Sequence, residues 1–192
     1  MFRVSSVLSL SGLADAPVRM SEDTRTRGTA VHAACEAFAE GCDAPYDRRY
    51  RGYVIGMYSW FERFEPVVVA TEQRIVNREK RLTGRIDLVA YIGNRPTVID
   101  VKTGQKAPWH GLQTAGYLDL VTNDQGITEL LRACAPPSAM LPIQRAIVYL
   151  PGNGRYQWVV HDNLQDSYIF RSALALLCWR ADHGMLEYTD PK

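Results

Sequence analysis

Asp87, Asp100 and Lys102 fall within the stretch Leu82–Gln113, which reads LTGRIDLVAYIGNRPTVIDVKTGQKAPWHGLQ. Two carboxylates offer hard oxygen donors of the kind that hold Mg²⁺ or Mn²⁺, and a lysine beside them adds a cation able to orient a water or hold a phosphate. Phosphodiester hydrolysis asks for such a set. It needs an activated water, compensation of charge on the scissile phosphate and help for the leaving oxygen, all of which a divalent metal can supply. The same residues also fit a structural role, an Asp–Lys ion pair plus an aspartate capping a turn, because charges taken out of water need a partner or a metal. The spacing D-x-K alone leaves both readings open.

These residues need a sheet to carry them. Arg85–Ile92 and Thr97–Lys102 are rich in β-branched and aromatic residues and read as two strands, with Gly93-Asn94-Arg95-Pro96 as the hairpin turn. Alternation sends Ile99 and Val101 to one face and Asp100 and Lys102 to the other. Val67–Val76 reads as a third core strand, on which alternation puts Glu72 and Arg74 on one face. Arg25–Gly41 has Val31, Ala34, Cys35 and Phe38 at helical spacing, with His32 at the margin of that stripe and Gly41 as its stop. A second helix is expected over Asp47–Phe64, where Arg48, Arg49 and Arg51 form a solvated cluster or meet phosphates. Pro108 introduces a helix over His110–Leu120 that puts Gln113 and Tyr117 one turn apart on one face. Trp109, just ahead of it, is placed to stack on an unpaired base or to pack. A short helix over Thr128–Ala135, strands Gln144–Leu150 and Tyr156–Val160 joined by PGNGR, and a helix over Asn163–His183 complete the chain. The order of elements predicts an α/β fold, a mixed central sheet flanked by helices.

At 192 residues the chain suits one domain, residues 1–192, able to bury roughly two-thirds to three-quarters of its unfolded surface. Its 22 basic and 21 acidic residues leave a net charge of +1, so nucleic acid would be held by a local patch and not by an overall field. Cys35, Cys42, Cys134 and Cys178 are scattered, with no C-x-x-C pair, and read as free thiols in a reducing compartment. The sequence shows no secretory pattern and no membrane-length apolar run, which together predict a cytoplasmic protein. His110, His161 and His183 are expected at the surface.

The ordered set RGTAVH (Arg27–His32), GRID (Gly84–Asp87), IDVKTG (Ile99–Gly104) and Q-x-x-x-Y (Gln113–Tyr117) resembles the PD-(D/E)XK nuclease superfamily, specifically its RecB-like exonuclease branch as found in phage-type recombination nucleases. The resemblance runs from about Val4 to Leu120, with the core motifs in 25–120; the hairpin and helix in 144–183 match only in general character. It implies a restriction-endonuclease-like core in which Asp87 and Asp100 hold Mg²⁺ or Mn²⁺, with a further ligand from the Val101 carbonyl and His32 as the metal-binding histidine. An imidazole ligand would favour Mn²⁺ relative to an all-oxygen site. Lys102 would act on the attacking water or the phosphate. Glu72 resembles the acidic residue on the first core strand of related nucleases. Gln113 and Tyr117 match residues that contact DNA or brace the site, while Arg27, Arg85 and Lys106 are placed to meet phosphates. Relatives that carry an iron–sulfur cluster use one cysteine ahead of the core and three clustered behind it; that spacing is absent here, so no cluster is expected. The implied activity is a metal-dependent exonuclease acting on DNA with free ends in phage-type recombination, repair or processing, with a homo-oligomer or a recombination protein as the open partner choices. A structure-specific or nicking endonuclease and a non-catalytic module binding DNA ends or a partner are the alternatives.

Overall fold

The computed structural model describes residues 1–14, 21–42, 46–140 and 142–186. In chain order they form β1 (Phe2–Arg3), α1 (Val4–Leu10), α2 (Glu22–Ala39), a 3₁₀ turn (Arg48–Tyr50) running into α3 (Arg51–Phe64), β2 (Val67–Asn77), β3 (Leu82–Ile92), β4 (Arg95–Lys102), α4 (His110–Val121), α5 (Gln125–Ala133), β5 (Gln144–Tyr149), β6 (Gln157–Val160) and α6 (Gln165–Asp182). The sheet is mixed. β2, β3 and β4 run antiparallel to their neighbours in turn, β5 lies parallel to β4, and β6 returns antiparallel to β5. β1 is parallel to the start of β3, pairing Phe2↔Leu82 and Arg3↔Thr83.

Helices cover both faces, as the order of elements predicts. On one face Val7 and Leu8 of α1, Leu120 of α4, Ile127 of α5 and Phe170 of α6 pack with Ile86, Val89 and Val98 of the sheet. On the other, Val31 of α2 and Met57 and Trp60 of α3 pack with Leu88, Ile99, Val101 and Val148. α4 is buried at every residue but Leu118, because it lies between the sheet and α6. Gly116 permits that contact: a Cβ there would stand 2.6 Å from the Phe170 ring. Local chemistry sets the ends. The Ser21 side chain caps α2 by accepting the Thr24 N–H at 3.2 Å, with Glu22 and Asp23 in the first turn complementing the helix dipole.

Three expectations are corrected in detail. The β3–β4 turn is only Gly93–Asn94, with Gly93 at φ 61°, so Arg95 and Pro96 already belong to β4, Pro96 standing opposite Tyr91. α5 starts at Gln125 and not Thr128, because the Asp124 carboxylate caps it, accepting the Ile127 N–H at 2.9 Å. The short apolar stretches mixed with Ser, Gly and Pro in Met1–Asp23 predict a helical or irregular lead-in ending in a polar loop; Phe2–Arg3 instead form a strand, β1, ahead of α1, and the loop falls partly on residues 15–20, outside the described residues.

Candidate active site

β3 shares one edge with two strands. β1 takes Leu82 and Thr83, β4 takes Leu88 to Ile92, and Gly84–Asp87 between them pair with neither. Beyond the last pair, Leu88↔Ile99, the register would set Asp87 opposite Asp100. Instead the Val101 N–H donates to Asp87 Oδ2 at 2.7 Å, so a side chain takes the place of a strand neighbour. Lys102 turns its carbonyl to β5, where it accepts the Leu150 N–H at 2.8 Å. Successive strand residues direct their main-chain groups to opposite edges, so the Val101 carbonyl opens on the side of Asp87.

Across the other edge of β3, Glu72 lies between the pairs Thr71↔Leu88 and Gln73↔Ile86 with a left-handed φ of 46°. Simple alternation fails here: Arg74 is exposed, while the Glu72 carboxylate turns to the site. Its Oε1 lies 3.0 Å from His32 Nδ1 and its Oε2 2.7 Å from Arg85 Nε. His32 comes from the margin of the buried stripe of α2, and its Nδ1 also stands 3.4 Å from Asp87 Oδ1. Ligand atoms of His32, Glu72 and Asp87 all lie within 4.8 Å of one another, the one such group among the described residues. Asp100 stands outside that group, bound to Lys102, whose Nζ is 3.0 Å from Oδ1 and 2.7 Å from Oδ2. The shorter approach is poorly aligned, and Oδ2 is buried without a hydrogen bond.

Charge and burial compete strongly here. Burial pushes the Asp87 carboxyl up to about 7, with Asp100 adding to the rise and His32, Lys102 and the Val101 N–H opposing it. Burial lowers His32, but Asp87, Glu72 and Asp100 outweigh it and raise the imidazole to about 9. At neutral pH an imidazolium therefore faces Glu72 and Asp87.

His32, Glu72, Arg85, Val101 and Lys102 line one open cavity of about 640 Å³, and Arg27 and Gln113 stand on its wall. Arg27 lies 5.2 Å over the Tyr53 ring, with Nε 3.4 Å from Thr103 Oγ1. Gln113 and Tyr117 meet as their spacing predicts, Gln113 Nε2 donating to Tyr117 Oη at 2.8 Å, and both are buried. Burial, then the negative field of Asp100 and Asp87, holds the Tyr117 phenol well above its ordinary range. Lys106 lies apart, in the adjoining depression, with Nζ 5.2 Å over the Tyr149 ring. Trp109 is half-buried, packed against the α4–α6 core and also lining the cavity. Arg49 of the basic cluster is exposed and tied to Asp47 at 2.7 Å. The four cysteines are free thiols, Cys35 in one core cluster and Cys134 and Cys178 against the other.

Of the histidines expected at the surface, one is buried and a second is half-buried. His110 is 4% exposed, bonded to Tyr149 and lining the cavity, and His161 has its Nε2 buried without a partner beside the Arg145–Asp166 pair. His183 is exposed, as expected. Nothing local in the sequence marks His110 as buried, since its partner Tyr149 is 39 residues away.

Residues 2–154 match the family model of the PD-(D/E)XK nuclease superfamily, and the chain belongs to that superfamily. Its mixed sheet between helical layers is the restriction-endonuclease-like α/β core of that family. Among solved structures the chain is similar in fold to a candidate exonuclease from Eubacterium rectale, with a TM-score of 0.53 and 12% identity over 96% of this chain and 82% of that one. An alkaline exonuclease from Laribacter hongkongensis is similar at a TM-score of 0.41 and 10% identity, covering 96% and 89%. The same enzyme in complex with dAMP gives 0.41 and 11%, covering 95% and 88%. No curated protein matches in sequence. No described helix is long and apolar enough to cross a membrane.

Proposed function

We propose that this chain is a single-domain, divalent-metal-dependent deoxyribonuclease of the RecB-like branch, working in the cytoplasm as an exonuclease of the phage recombination or processing type. The observation that carries the reading is the meeting of His32, Glu72 and Asp87 beside the Asp100–Lys102 pair, with Asp87 and Asp100 buried just behind a cavity that His32, Glu72, Val101 and Lys102 line. The donor set fits a small divalent cation. Carboxylate oxygens at ligand spacing suit Mg²⁺ or Mn²⁺, one imidazole tilts the choice to Mn²⁺, and Asp100 Oδ2 is a buried anionic oxygen without a hydrogen bond. His32, Glu72, Asp87, Asp100 and the Val101 carbonyl would hold it. When bound, the metal supplies activation of water and compensation of charge at the scissile phosphate.

The chain's own residues do the rest. Lys102, fixed against Asp100, orients the attacking water or holds the phosphate. Arg27 and Arg85 draw the backbone into the cavity, and Lys106 extends the basic wall into the adjoining depression. Gln113 and Tyr117 guide the strand from the opposite side or brace the carboxylates. A local groove of this kind needs no large net charge, consistent with +1.

Incubation with end-labelled linear duplex and with covalently closed circles, with and without Mg²⁺ or Mn²⁺, tests the reading. Linear DNA should shorten only with metal, and circles should survive. Nicking of supercoiled circles as fast as linear DNA is shortened would replace the exonuclease reading with the endonuclease one. End binding without cleavage in either metal would replace it with a non-catalytic end-binding module.

A further inference from the structure

His110 opens α4 beside the proposed catalytic lysine, and its surroundings fix its chemistry. The Ala107 N–H donates to His110 Nδ1 at 3.3 Å, and a main-chain N–H can only donate, so Nδ1 carries no proton. Tyr149 Oη lies 2.9 Å from the same nitrogen and must therefore donate to it as well. The imidazole is thus neutral, with its proton on Nε2. Burial, then the Lys102 ammonium, lowers its pKa to about 4, in agreement with the hydrogen bonds. Both contacts fall on Nδ1. Among the described residues the side-chain nitrogens and oxygens that are buried and partnerless are Trp60 Nε1, Asp100 Oδ2, Gln113 Oε1 and His161 Nε2. His110 Nε2 is not among them, the hydrogen bonds of the ring fall on Nδ1, and His110 lines the cavity.

We propose that His110 is a further DNA-contacting residue of this cavity, a locked neutral imidazole that donates its Nε2–H to a phosphate oxygen of the bound strand. The proposal rests on the nuclease reading above for its ligand. A neutral donor suits the place, because a second cation would repel Lys102 and compete with it for Asp100. The lock also aligns the N–H before DNA arrives, so little ordering is left for binding. The Lys106 ammonium also lies 5.2 Å from the centre of the Tyr149 ring.

Two isosteres separate this role from a brace. The Asn Oδ1 reaches the position of Nδ1 and can accept from Ala107 and Tyr149, whereas the Gln Nε2 reaches the position of the imidazole Nε2 and can donate to DNA. Affinity of the full chain for a fluorescein-labelled linear duplex, by anisotropy in EDTA, and melting temperature are measured for wild type, His110→Asn, His110→Gln and His110→Ala. His110→Asn should melt near wild type yet bind DNA about 10- to 100-fold more weakly, the range for a lost hydrogen bond to a charged group. His110→Gln should recover most of that affinity while melting lower, since two donors lose their acceptor. The reverse pattern, or wild-type affinity in both variants, would overturn the proposal and leave His110 a brace of the 103–109 loop. Wild-type protein that binds DNA but never cleaves it would sink the nuclease reading alone, because the anisotropy comparison needs no metal. Wild-type protein that neither binds DNA in EDTA nor cleaves it with Mg²⁺ or Mn²⁺ would overturn both.

Discussion

Replacing Asp87 by Asn should abolish cleavage and at the same time stabilise the metal-free protein at pH 8. The carboxyl rises from its ordinary 3.8 to about 7 on folding, and each pH unit is worth roughly 1.4 kcal/mol, so keeping it ionised costs the fold about 4 kcal/mol above pH 7. An acid raised in this way penalises the fold above its folded pKa, and the penalty fades as pH falls toward 3.8. Asn removes the charge yet can still accept the Val101 N–H, so no main-chain donor is orphaned. That rise already includes the opposing pull of the His32 imidazolium, itself raised to about 9, so the net gain at pH 8 is about 4 kcal/mol, or roughly 8–16 °C for a chain of this size. Thermal melts of both proteins in EDTA at pH 8 and pH 5 check this. The gain should shrink by more than half at pH 5, where Asp87 is largely protonated in the folded protein, and close only as pH falls toward 3.8. An Asn variant that melts below wild type at pH 8, or a gap that does not change with pH, would refute the electrostatic account of the site.

Lys102→Ala should lower cleavage by about 10²–10³-fold, the scale of losing one preorganised charge at the reacting group, and should also lower the melting temperature because Asp100 is left buried without its cation. Mn²⁺ affinity, followed by isothermal calorimetry, should rise from pH 6.5 to 9 with proton release, since the cation must displace the proton that His32 holds between Glu72 and Asp87; a flat profile would show that His32 is not displaced. Gly52→Ala, at a position that does not line the cavity, should cost about 3 kcal/mol or more in urea unfolding, because its Cβ would collide with the Gly152 carbonyl, which belongs to the backbone and cannot swing away.

What was legible in the sequence is what repeats locally. Asp100 and Lys102 share a face because a strand alternates, and Gln113 meets Tyr117 because a helix brings residues four apart together. The Asp124 cap that begins α5 early was a readable signal, an aspartate just ahead of a helical run. Glu72 is different: as a member of a regular strand it would share a face with Arg74, and only its left-handed φ turns it to His32. Likewise the burial of His110 depends on Tyr149 and that of His161 on the neighbourhood of Arg145 and Asp166, contacts made across the sheet that no local period encodes.

The irregularity of β3 and the chemistry of the site have one origin. Along this strand Leu82 and Ile86 pack on the α4–α6 side, Leu88 and Ala90 on the α2–α3 side, and Val89 and Tyr91 again on the α4–α6 side, so the inward face changes parity at Asp87. Its cross-strand neighbours by register, Glu72 and Asp100, are both missing from the ladder pairs at that level. Three carboxylates abreast on a flat sheet would face one another at about 4.5–5.5 Å, and like charges set directly opposite are destabilising. The fork relieves this by lending one carboxylate to a main-chain N–H, one to Lys102 and one to Arg85 and His32. The same opening lets α2 bring an imidazole from one helical layer and α4 bring Gln113 from the other to a single cavity at the sheet's edge. A regular ladder through Asp87 would close that opening, so the break in strand pairing is what leaves the three carboxylates free to meet His32, Arg85 and Lys102.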